Sequence, residues 1–174
     1  MPHLTRYCAL LAATFFCLSL GAGSTLANKA SDTTLVRIDA IRFVDGTLNS
    51  SSPQSVVATC KLFSPKELKK LGEKKGCEFL FFFAGAIINS LEKNDPAAQA
   101  YVTKCYVASN AATLIAPVLI HGNSARITIH PQGIPPKFVQ TTKNGTQSIA
   151  CGGGTIFFTR AGKGWLMSSF PNSV

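Results

Sequence analysis

Four cysteines, Cys60, Cys77, Cys105 and Cys151, follow what reads as an export leader, and they limit the fold more than any other feature of the chain. Outside the cytosol an even set of thiols reads as a disulfide framework, here two bonds with three connectivities that sequence alone leaves open. Cys60 and Cys77 bracket a capped helix, and a Cys105–Cys151 bond would join a helical part to a strand-rich part, so this pairing is favoured over the crossed ones. A structural zinc site needs clustered ligands, and intervals of about 16, 27 and 45 residues between these cysteines supply none.

The leader itself is legible. Arg6 precedes the apolar run Cys8 to Leu20, and small residues stand at Thr25 and Ala27, where a signal peptidase reads. Cleavage after Ala27 is expected, with secretion or delivery to the periplasm. Gly21, Gly23 and Ser24 cut the apolar run short of the roughly 20 residues a retained anchor needs. Cys8 and Cys17 leave with the leader. Residues 28–174 are then expected as a single α+β domain, long enough to bury its own core.

Within it, Thr34 to Val44 alternates apolar and charged residues in the manner of a half-buried strand, followed by a turn at Asp45 to Thr47 and a polar loop to Ser55. VVATCKLF reads as a short extended piece. Ser64 then stands before Pro65 with Glu67 three residues on, the pattern of a capping box, so a helix starts there. Lys66, Lys69, Lys70 and Lys74 share its wet face, and Gly76 is expected to end it. The next run, Cys77 to Glu92, is apolar nearly all round and reads as the central core helix, with Phe79, Leu80, Phe82, Phe83, Ile87 and Ile88 largely buried. Its apolar part is too short to span a bilayer.

Asp95-Pro96 opens a further helix, and Asn110 begins a third apolar stretch that Pro117 bends or ends. From residue 124 the composition changes to strands: SARITIH, KFVQTTK and TQSIAC around Asn144-Gly145, TIFFTR and WLMSSF around AGKG, the pair pattern of hairpins. The expected class is α+β: an N-terminal strand, three to four helices over 34–123, then a C-terminal antiparallel sheet of about four strands over 124–174, stapled by disulfides.

No catalytic, cofactor or metal constellation emerges. Gly152-Gly153-Gly154 and Gly162-Lys163-Gly164 lack the ending and helix of a phosphate loop. His121 and His130 stand at element ends, outside any metal-helix motif; a small secreted hydrolase using one of them is the alternative reading. The net charge is +9, about +8 once Arg6 is gone, and points to an acidic protein partner or an anionic surface. Nucleic acid is disfavoured, because no strands interleave aromatic and basic residues. Lys66, Lys69, Lys70 and Lys74 are the candidate partner-binding residues.

Over Cys60 to Asn89, a cysteine, a capped helix and then CEFLFFFAGAI resemble the helix-linking cysteine pair of small periplasmic immunity proteins, which neutralise secreted antibacterial effectors. The resemblance implies a protein partner and no catalysis. The expectation is a small exported binding or inhibitor-type protein acting through a surface.

Overall fold

The computed structural model describes residues 31–48, 52–143 and 145–170. The leader and cleavage site read at residues 1–27, and Asn144 of the expected Asn-Gly turn, lie outside them. The helices are α1 (31–48), α2 (Pro53–Cys60), α3 (Pro65–Lys70), α4 (Glu73–Asn94) and α5 (Pro96–Ile115).

Three of them begin alike, with a short polar residue before proline. Ser52 Oγ accepts from Ser55 N at 3.2 Å, Ser64 Oγ from Glu67 N at 3.3 Å, and Asp95 Oδ1 from Ala97 N at 2.8 Å. Proline costs nothing at the position that follows, because the first helical amide has no partner within the helix. The capping box at Ser64 is half made. Glu67 turns its buried carboxylate to Lys70 Nζ at 2.7 Å, and the Ser64 amide instead donates to Met167 O at 2.8 Å, which fastens the start of α3 to the sheet.

Several boundaries differ from the sequence reading. Residues 34–44, expected as a strand, are helical. Val36, Ala40, Phe43, Val44 and Leu48 recur at helical spacing and are buried, so packing of one face overrides the β-branched composition. The VVATC segment, read as extended, lies in α2, whose Ser52-Pro53 start repeats the pattern at Ser64. Gly76 does not end a helix: the break is at Gly72, with φ of 84°, and α4 runs through Gly76. A side chain at Gly76 would collide with the Leu71 carbonyl, so this glycine is what lets the α3–α4 turn fold tightly. The apolar stretch from Asn110 is divided. Its first part completes α5 and its second is a strand, because the residue before Pro117 is pushed into extended backbone, Ala116 having ψ of 134°.

The strands are β1 (Val118–His121), β2 (Ser124–Ile129), β3 (Lys137–Thr142), β4 (Gly145–Ala150), β5 (Gly154–Ala161) and β6 (Gly164–Ser169). The α+β class holds, with an antiparallel four-stranded sheet in the order β1-β2-β5-β6 and a separate β3-β4 ribbon. The sheet begins at Val118, ahead of residue 124. Its inner face carries Ala125, Ile127, Ile129, Ile156, Phe158, Trp165 and Met167, all buried, with Ile127 opposite Ile156 and Phe158 opposite Met167. Phe43, Phe63 and Phe81 meet in the core, the Phe43 ring edge-on to the other two at centroid distances of 6.0 and 6.2 Å. The ribbon is tied to α5 by Tyr101 Oη donating to Pro135 O at 2.9 Å and by Gln140 Nε2 donating to Asp95 Oδ2 at 2.8 Å.

Cys60 is joined to Cys77 and Cys105 to Cys151. The first bond pins α2 to α4 across α3; the second pins α5 to the segment that leaves β4. No described helix is long and apolar enough to cross a membrane.

Candidate functional site

The rotation of α4 about its own axis creates the most distinctive surface of the chain. Cys77 must face Cys60, and the residues one, two and three turns on, Phe81, Gly85 and Ile88, therefore face the core with it. The residues between them must point out. Phe79 is 70% exposed, Phe82 and Phe83 are each 56% exposed, and Leu80 is 42% exposed, whereas Phe81 is 1% exposed. This corrects the expectation that Phe79, Leu80, Phe82 and Phe83 belong to the core; of the six residues so placed, only Ile88 is fully buried and Ile87 is half-buried. Apolarity all round the helix gave no phase. The signal that could have set it is Cys77, once its partner is known.

Phe79 and Phe83, one turn apart, stack with centroids 6.2 Å apart and planes 14° from parallel. Lys66, Lys69, Lys70 and Lys74 are exposed as the sequence suggests, but they do not share one helix. The first three stand on α3 and Lys74 on α4, because the chain breaks at Gly72 rather than at Gly76. Two of them are engaged: Lys70 with Glu67, and Lys74 with Glu78 at 3.6 Å. Lys75, also exposed, lies one turn before Phe79 on α4.

Leu80 and Phe83 of this exposed row also line a cavity of about 250 Å³. Phe43, Val44, Thr47 and Leu48 of α1 form one wall, and α4 from Leu80 to Ile88 forms another. Ile129, Ile149, Ile156 and the segment Gly152 to Gly154 close it. Among the described residues no charged side chain lines it. The three glycines, which the sequence does not make a phosphate loop, give the wall a stretch without side chains. Ser109 Oγ holds that stretch by donating to Gly152 O at 3.3 Å.

The remaining candidate residues do not converge. His121 ends β1 and is exposed. His130, also exposed, edges a more open pocket of about 400 Å³ between α5 and β2 formed by Ala108, Ala112, Ile115, Pro117, Thr128 and Gln132, in which no carboxylate or thiol stands among the described residues. The hydroxyl of Thr128 there lies 2.9 Å from that of Thr155. Asp39 pairs with Arg42 at 3.0 Å, and Asp45 accepts from Asn110 Nδ2 at 3.4 Å, both structural roles. Among the described residues no group of three or more His, Cys, Asp or Glu could hold a metal. Burial raises the pKa of Asp39, with the hydrogen bond and charge of Arg42 opposing, and burial alone raises that of Glu92. Neither lies at the cavity.

Compared with known proteins, the chain matches no family model, and no curated protein or solved structure shows significant similarity to it.

Proposed function

We infer that this chain is a small exported protein of the binding or inhibitor type, acting without catalysis through the exposed face of α4 on a protein partner. The observation that carries this reading is the outward stack of Phe79 and Phe83 with Phe82 beside it, three large rings in water on a helix whose rotation is fixed by a disulfide. Rings held in place before contact lose little freedom on binding, and aromatic side chains are the usual anchors of protein interfaces. Lys66, Lys69 and Lys70 on α3, which packs against α4, and Lys74 on α4 itself would steer an acidic partner toward the rings. The resemblance over Cys60 to Asn89 supports the same class of action, the neutralisation of a protein by contact. Export is supported by the leader sequence and by two disulfides in a chain of this size.

Affinity capture from the native compartment tests this, with the parent chain and a Phe79→Ser/Phe82→Ser variant as baits. A protein held by the parent and released by the variant is the expected result. Equal retention by both baits would remove α4 from the reading.

A further inference from the structure

We propose that the outward side of α5, with the corner where it meets β1, is a second contact surface, one that settles on an anionic lipid bilayer. Val107, Ala111 and Leu114 follow one another at four- and three-residue spacing and so share one side of the helix. That side is not packed: Val107 is 61% exposed, Leu114 60% and Ile115 83%, the last being the most exposed large apolar residue among those described. The ridge continues past exposed Pro117 to exposed Leu119 of β1. Leu119 stands opposite Arg126 on β2, and Arg126 opposite exposed Phe157 on β5, so the apolar row extends onto the outer face of the sheet with one guanidinium inside it.

Charge decides what this ridge meets. All eight aspartates and glutamates of the chain precede Pro96. Residues 96–174 carry Lys104, Arg126, Lys137, Lys143, Arg160 and Lys163 and no acidic side chain, so the part of the chain that bears the ridge presents a positive field to an anionic surface. Exposed Lys104 lies one turn before Val107 and exposed Arg126 beside Leu119, and among the described residues neither forms an ion pair. The carboxylate of Asp45, which reaches α5 from α1, is engaged by Asn110 Nδ2 at 3.4 Å.

The side chains choose among anionic partners. Protein hot spots favour Trp, Tyr and Arg and are poor in Leu and Val, and single-stranded nucleic acid needs rings to stack on; residues 107–119 contain no aromatic side chain. An acidic polysaccharide would answer the charge and leave the aliphatic ridge in water. A bilayer answers both, taking the aliphatic side chains at the boundary of headgroups and acyl chains while the cations stay among the headgroups. The helix lies on the surface, since no described helix is long and apolar enough to cross it.

Co-sedimentation of the disulfide-intact exported chain with vesicles of equimolar phosphatidylglycerol and phosphatidylcholine tests this, against vesicles of phosphatidylcholine alone. The chain should bind the anionic vesicles far more tightly, and rising salt should release it. Leu114→Ser/Ile115→Ser should weaken binding at least tenfold with the urea midpoint nearly unchanged, because both side chains already stand in water in the free protein. Lys104→Gln and Arg126→Gln should each weaken it about fivefold, the equivalent of about 1 kcal/mol per basic residue near an anionic surface. Phe79→Ser/Phe82→Ser should bind vesicles like the parent, and Leu114→Ser/Ile115→Ser should still capture the protein partner of α4, so the two surfaces fail separately. No binding to anionic vesicles, equal binding to both kinds, undiminished binding by Leu114→Ser/Ile115→Ser, or loss of binding in the α4 variant would each overturn the proposal. A protein captured by the parent and released by Leu114→Ser/Ile115→Ser would overturn it too, making the ridge a protein contact.

Discussion

Phe81 and Phe82 are consecutive on α4 and face opposite ways: Phe81 closes against Phe43 and Phe63 with 1% of its surface exposed, while Phe82 is 56% exposed. The difference converts directly into stability. Phe81→Ala should cost about 3 to 5 kcal/mol, the range for deleting a buried ring, and Phe82→Ala well under about 1 kcal/mol. Urea unfolding of the two variants side by side checks it. Equal costs would mean that α4 is rotated from the position described.

The two disulfides should differ in strength. Cys60–Cys77 closes a separation of 17 residues and Cys105–Cys151 one of 46. In the chain-entropy picture these constrain the unfolded chain by about 3 and about 4 kcal/mol. Replacing Cys105 and Cys151 by serine should thus lower the melting temperature more than replacing Cys60 and Cys77. The second replacement has its own consequence, because it releases the rotation of α4 and should weaken partner capture even at temperatures where the chain stays folded. Calorimetry of both double variants, paired with the capture assay, separates the two effects.

Exchanging Lys66, Lys69 and Lys74 for glutamine should leave unfolding nearly unchanged, because exposed ion pairs contribute about 0 to 1 kcal/mol. Adding Lys70→Gln should cost more, because it leaves the buried Glu67 carboxylate without its partner. Association with an acidic partner should slow, most visibly at low ionic strength, where the field of the patch is least screened. Stopped-flow association rates at two salt concentrations measure this, and a rate insensitive to both salt and substitution would exclude steering by these residues.

Glu92 carries a prediction about pH. Burial raises its pKa above the ordinary 4.5. A carboxyl raised on folding contributes stability that is fully present below its unfolded pKa and is lost as pH rises through the folded value. Glu92→Gln should therefore be more stable than the parent at pH 7, and the gain should vanish toward pH 3.5. Asp39 shifts in the same direction, but Asp39→Asn also removes the Arg42 pair and should show a smaller gain or none. Urea midpoints across pH 3.5 to 7 test both; a Glu92→Gln variant that loses stability at neutral pH would show that the carboxylate is held by a favourable contact.

What the sequence determined by itself was set by local chemistry. Ser64-Pro65 and Asp95-Pro96 start helices because a short polar side chain and a fixed proline φ satisfy the first turn without help from the rest of the fold, and Ala161-Gly162-Lys163-Gly164 makes a hairpin because Gly162 accepts a positive φ of 59°. The α+β order and the exposed lysines follow from such signals, whereas the cysteine pairing, which the sequence favoured but left open, is fixed by the fold. Tertiary structure alone decided the rest. Residues 34–44 carry apolar residues that satisfy both a strand and a helix, and the choice of helix rests on burying Val36, Ala40 and Phe43 against distant partners. The run from Phe79 to Ile88 is apolar on every side, so no periodicity could say which rings face water. That was decided by the Cys60–Cys77 bond, which turns Phe81 inward and leaves Phe79, Phe82 and Phe83 outside, and by the sheet and α1, which leave a cavity beside α4.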